Sequence, residues 1–104
     1  MTDTSSCIET SALRALLAGK ADVVVLDVRS PAEYATGNIT GSMNLPLDEL
    51  PAALAHLPAR GEIVTVCGKG GGRSEEAARL LIDHGFPAVR SLCGGMAAWN
   101  EASG

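Results

Sequence analysis

The chain has 104 residues, 46% of them hydrophobic and 19% charged, which fits one compact globular domain spanning 1–104 with a single core. One Trp, one Tyr and one Phe leave that core to Ala, Val, Leu and Ile, while twelve glycines supply permissive backbone positions. A net charge of −4 without basic runs argues against a nucleic-acid partner, and no apolar run approaches the ~20 residues of a membrane span, so no membrane partner is expected.

Thr10 or Ser11 is placed to cap a helix whose Leu13, Leu16 and Leu17 share one face, with Gly19 as a left-handed stop after Ala18. Asp22 to Val28 is a continuous β-branched run, the pattern of a strand buried on both faces in a parallel sheet. Ser30-Pro31-Ala32-Glu33 joins a capping Ser, a Pro at the first helical position and a Glu three residues after the cap, predicting a short helix that stops at Gly37. Ile39 to Leu45 reads as a second strand, and Asp48 as the cap of a helix using Leu50, Leu54 and Leu57. Glu62 to Cys67 is the third strand. A helix from Ser74 to Gly85 buries Ala78, Leu81 and Ile82, Ala88 to Leu92 forms another strand, and Gly94-Gly95 turns into a helix carrying Met96 and Trp99 before a frayed tail from Glu101. Alternating strands and helices imply right-handed βαβ crossovers and an α/β class with a mostly parallel sheet.

In such sheets ligands bind beyond the carboxyl ends of the strands, where Cys67 falls. After it come Gly68, Lys69, Gly70, Gly71 and Gly72, then Arg73 and Ser74 opening the next helix. Glycines let successive backbone N–H groups converge on an anion, and the helix N-terminus adds partial positive charge. An ordinary thiol with pKa near 8.5 is only about 3% ionised at pH 7, and helix N-termini with nearby cations lower that pKa to ~3.5–7.5. The segment has neither the spacing of a Walker A loop nor that of a dinucleotide fingerprint. Its bland alternative is a buried Cys before a flexible turn, against which the packing of four glycines, Lys69 and Arg73 into one loop favours chemistry.

With those residues in place, the chain resembles the rhodanese family of sulfurtransferases over nearly its whole length. Leu26-Asp27-Val28-Arg29-Ser30-Pro31-Ala32-Glu33-Tyr34, with Gly37 to Pro46, is similar to the family's first signature, and Val89 to Trp99, with Leu92, Gly94 and Gly95, to its closing one. The resemblance implies a five-stranded sheet with helices on both faces. No cofactor or metal is expected. It makes Cys67 the nucleophile that takes a sulfane sulfur as a persulfide, cradled by the Gly68 to Ser74 loop. Lys69 would recruit an anionic donor such as thiosulfate, and cyanide, a thiol or a protein would accept the sulfur. Arg73 would contact the anion or pair with Glu33 or Asp27, and Asp27, Arg29 and Glu33 would support the loop from behind.

There are two departures from the family. Asn38 stands where many relatives have His, which is expected to cost a structural hydrogen bond. Five residues separate Cys67 from Arg73 where typical sulfurtransferases have four, a spacing similar to that of rhodanese-like phosphatases and arsenate reductases. Val66 before the Cys and the absence of Glu from the loop oppose the phosphatase reading, so sulfur transfer stands first and oxyanion chemistry second. A non-catalytic partner-binding module is the third reading.

Three cysteines without C-x-x-C spacing argue against a disulfide framework or a zinc site and leave at least one free thiol. Cys93 reads first as a small core residue, second as a resolver of oxidised Cys67, and Cys7 has still less claim to that role. His56 and His84 read as residues favoured at helix C-termini, and Trp99 as a core plug. With no secretory signal visible, a cytoplasmic monomer is expected.

Overall fold

The computed structural model describes residues 7–19, 22–57, 61–69 and 72–103. In chain order they form α1 (Thr10–Ala18), β1 (Val23–Asp27), α2 (Pro31–Thr36), β2 (Met43–Asn44), a 3-10 turn (Leu47–Glu49) and α3 (Leu50–Ala53). A second 3-10 turn (Leu54–His56), β3 (Glu62–Val66), α4 (Gly72–Asp83), β4 (Val89–Ser91) and α5 (Gly95–Ser103) follow. The four strands lie parallel in the order β2-β1-β3-β4, with Leu26 opposite Met43, Val24 opposite Ile63 and Thr65 opposite Ser91. At the β4 edge the expected fifth strand is a single parallel bridge between Ile8 and Leu92.

The β-branched runs bury the two faces of the sheet alternately, as a parallel sheet covered on both sides requires. Leu26 and Ile63 point into a cluster with Leu50, Ala77, Leu81 and Phe86, so α3 and α4 cover that face. Val25, Val64 and Val66 point the other way, against Leu13, Leu92 and Met96 of the α1 and α5 side. Each βα connection leaves its loop at the carboxyl end of the sheet, which gathers residues 28–33, 67–69, 72–73 and 92–96 on one rim.

Ser30 caps α2 as expected, accepting from the Glu33 N–H while the Glu33 carboxylate accepts from the Ser30 N–H, with Pro31 next to the cap. Elsewhere the boundaries move for identifiable reasons. Glu9, whose carbonyl accepts the first helical bond from Leu13, takes the N-cap position of α1, so Thr10 and Ser11 lie inside the helix. Gly19 ends it at φ −82°, outside the left-handed region. The second strand shrinks to Met43–Asn44 because the chain turns back between Ile39 and Ser42 through Gly41 at φ +86°.

The helix expected after Asp48 is broken into 3-10, α and 3-10 segments. Pro51 has no N–H to donate to Leu47, whose carbonyl instead accepts from Leu50 in the tighter 3-10 pattern. Toward the C-terminus, α4 starts at Gly72 rather than Ser74, and α5 continues through Glu101 to Ser103 where fraying was expected.

Candidate functional site

Cys67 follows β3 directly and is 3% exposed, lodged in the core cluster beneath α4. Its Sγ donates to the Ser74 hydroxyl at 3.3 Å, in the first turn of α4. Ser74 is itself fully buried, and its carbonyl accepts from the Thr65 hydroxyl at 2.7 Å, which ties the start of α4 to β3. The N-terminus of α5 holds the other side of the loop. Its Met96 N–H donates to the Cys67 carbonyl and its Ala97 N–H to the Gly68 carbonyl, each at 2.8 Å. Four N–H groups at a helix start lack intrahelical acceptors, and α5 spends two of them on this loop.

Gly68 is half-buried, and Lys69 is exposed with no ion pair or side-chain hydrogen bond among the described residues. Gly70 and Gly71 lie outside the described residues, whereas Gly72 opens α4.

Arg73 turns toward α2. Its guanidinium donates to the two Glu33 carboxylate oxygens at 3.0 and 3.3 Å, and its Nη2 lies 3.8 Å from where a Cβ on Gly68 would stand. The hydrogen bond from Arg73 and the backbone donor of Ser30 hold the Glu33 carboxyl far below its usual range, at about 2, against the opposing cost of burial. The Arg73 pKa is raised, first by the Glu33 hydrogen bond and further, against desolvation, by the charges of Glu33, Cys67 and Asp27. Of the two partners expected for Arg73, Glu33 is the one the structure supplies.

Asp27 and Arg29 form a buried pair of their own. The Arg29 Nε lies 2.9 Å from Asp27 Oδ1 and its Nη2 2.8 Å from Oδ2, and Nη2 also donates to the Gly37 carbonyl at 2.7 Å. This hydrogen bond from Arg29 to Asp27 leads the causes that raise the Arg29 pKa. Asn44 Nδ2 donates to the carbonyls of both Asp27 and Arg29 at 3.0 Å. The turn after β1 is thereby clamped, and the clamp sets the start of α2, hence Glu33, hence Arg73. Asn38 uses its own Nδ2 to cap the α2 carbonyl of Tyr34 at 3.0 Å.

Cys7 and Cys93 are joined in a disulfide, against the expectation drawn from an odd cysteine count, and Cys67 is the cysteine outside the bond. Cys93 is therefore neither a lone core residue nor placed as a free thiol to resolve Cys67. The backbone bonds from Ile8 to Ser91 and from Cys93 to Ile8 bring the two chain segments together, a pairing that sequence spacing does not display. Also missed were Asn44 and the amides of Met96 and Ala97, although the Gly94-Gly95 step into a helix was a usable signal for the latter. His84 sits just past α4 with its ring Nδ1 2.9 Å from the Leu80 carbonyl, and half-buried Trp99 lies under the Arg14 guanidinium, 4.5 Å from the ring centroid. Among the described residues no cluster of His, Cys, Asp or Glu is arranged to hold a metal ion, and no helix is long and apolar enough to cross a membrane.

Residues 9–102 match the family described as Rhodanese-like domain. The chain belongs to the rhodanese-like family. A protein of Allochromatium vinosum named Sulfurtransferase is 35% identical over 92 residues, covering 88% of this chain and 85% of its own. Thiosulfate sulfurtransferase GlpE of Pseudoalteromonas translucida is 39% identical over 90 residues, covering 83% and 81%. The crystal structure of a rhodanese-related protein from Thermoplasma volcanium superposes with a TM-score of 0.83 at 29% identity, covering 92% of this chain and 91% of that one. The parallel sheet flanked by helices is thus the rhodanese fold, and the named relatives support a sulfurtransferase activity for this member of the family.

Proposed function

We propose that Cys67 is the nucleophile of a sulfurtransferase that carries sulfane sulfur as a persulfide. The observation that carries this reading is a thiol outside the disulfide, at the carboxyl end of β3 and between the N-termini of α4 and α5. The Cys67 thiolate attacks the outer sulfur of thiosulfate, the sulfur–sulfur bond of the donor breaks with its electron pair leaving on sulfite, and Cys67 persulfide remains. Cyanide or a thiolate then attacks the outer persulfide sulfur and returns the Cys67 thiolate. Exposed Lys69 supplies a flexible positive charge for the anionic donor, and the first turn of α4 presents its positive end to the same space.

Phosphatase or arsenate reductase chemistry would draw on the longer Cys67 to Arg73 spacing and needs that arginine for the oxyanion. Here both carboxylate oxygens of Glu33 occupy the Arg73 guanidinium, which favours sulfur transfer.

The deciding experiment is intact-mass spectrometry after thiosulfate treatment, followed by cyanide. Wild type is expected to gain one sulfur and release it as thiocyanate, and Cys67→Ser to do neither. Transfer that survives Cys67→Ser would overturn the proposal, as would a wild type that stays unmodified by thiosulfate and by glutathione persulfide. Turnover of an aryl phosphate or arsenate-dependent thiol oxidation would replace it with the oxyanion reading. An inert Cys67 in all these assays would leave the binding module.

A further inference from the structure

An open groove of about 810 Å³ runs along α4 and faces the 46–51 segment. One end lies beside the candidate site, since its lining includes Arg73, whose guanidinium is held by Glu33 and approaches Gly68, together with Val28 and Ser30 from the turn after β1. Arg73, Glu76, Leu80 and Asp83 recur at helical spacing along its α4 wall, and ten residues of helix span about 15 Å, the length of four or five residues of extended chain. The floor is apolar, with Val28, Leu47, Leu80 and Pro46.

The rim is acidic. Asp48 and Glu49 on one wall and Glu76 and Asp83 on the other are all exposed, and among the described residues Arg79 is the one rim cation apart from Arg73, which Glu33 already holds. None of these four carboxylates nor Arg79 makes an ion pair or side-chain hydrogen bond among the described residues. Asp83 is also the last residue of α4, where the helix dipole disfavours a carboxylate.

On the sulfur-transfer reading of Cys67, we propose that this groove docks an extended segment of a protein sulfur acceptor, bearing lysine or arginine between apolar side chains, with the accepting thiol at the Arg73 end. Apolar side chains meet the floor, the cations meet the four rim carboxylates, and the segment length matches the α4 wall. Complementary charge of this kind sets which partner is chosen and how fast it is captured more than how tightly it is held.

The test uses two short synthetic peptides, one with a cysteine followed by alternating lysine and leucine, the other with glutamate in place of lysine. Serine versions, labelled for fluorescence anisotropy, report binding without chemistry. The basic serine peptide is expected to bind at least about tenfold more tightly than the acidic one, more weakly as salt rises, and to lose that preference in the Glu76→Lys/Asp83→Lys variant. Wild type loaded with sulfur should pass it faster to the basic cysteine peptide, while turnover with cyanide stays equal in wild type and variant. Equal binding of both peptides, or a preference unaffected by salt, overturns the proposal on wild type alone, whatever the variant's folding. A concentration-dependent dimer abolished by the charge reversal also overturns it, because a second copy then fills the groove. Selective binding without sulfur transfer to cyanide or peptide would instead reject the sulfur-transfer reading and leave the groove as a basic-segment site.

Discussion

The Met96 N–H donates to the Cys67 carbonyl at 2.8 Å, so the last helix holds the residue that follows the central strand β3. This links two sequence blocks, and the link depends on how the chain enters α5. Gly94 and Gly95 adopt φ +73° and +57°, which brings the first amides of α5 over the loop.

Gly94→Ala is expected to damage this geometry from a distance. The added Cβ would stand 2.6 Å from the Ala98 Cβ, at a backbone conformation that side chains resist. A loss of about 1–3 kcal/mol in chemical denaturation is expected, together with reduced sulfur loading of Cys67 in the fraction that remains folded. Wild-type stability and loading in this variant would show that the Met96 and Ala97 bonds do not depend on that turn.

Glu33 offers a pH-dependent reading of the Arg73 contact. Its carboxyl is held at about 2 in the folded chain, below the ordinary 4.5. A depressed folded value means that the pair's contribution is fully present above about 4.5 and is lost as pH falls toward 2. An NMR titration of the Glu33 carboxyl is expected to show a midpoint near 2, and Arg73→Gln to return it toward the usual carboxylate range. An unchanged midpoint in Arg73→Gln would mean that the Ser30 donors alone hold the carboxylate.

The buried Asp27–Arg29 pair predicts a different pattern, because both charges are almost wholly out of water, with side chains 1% and 7% exposed. Asp27→Asn removes the countercharge and should cost about 3–5 kcal/mol, whereas Asp27→Asn with Arg29→Met should cost less than the two single changes added together. Urea denaturation of the cycle measures the coupling. Strict additivity would mean that the pair does not act as one unit.

How legible these features were depended on the range of the interactions behind them. The Ser30 to Glu33 capping box is complete within four residues and was read correctly, as was the β-branched run of β1. The position of Cys67 at a strand end followed from the same local patterns. The broken helix after Pro46 was misread because its leucine spacing outweighed the missing N–H of Pro51. For Arg73 the choice between Glu33 and Asp27 was open, since contacts forty residues apart are set by how α2 and α4 dock. The Cys7 to Cys93 bond, across 86 residues, had no local signature at all.

That disulfide carries the last prediction. It closes most of the chain into one loop, and in the chain-entropy account a closure across 86 residues stabilises the fold by restricting the unfolded ensemble, by about 2–5 kcal/mol. Cys93→Ser should lower the denaturation midpoint by a corresponding amount, and reduction of wild type should do the same. Titration of thiols in unfolded, unreduced protein should find one group, Cys67, and three after reduction. Cys93 stands immediately before the turn that feeds Met96 to the Cys67 carbonyl, so the variant should also slow sulfur loading while leaving the Glu33 midpoint unchanged. Three thiols in the unreduced protein would remove the bond, and unchanged loading in Cys93→Ser would uncouple it from the loop.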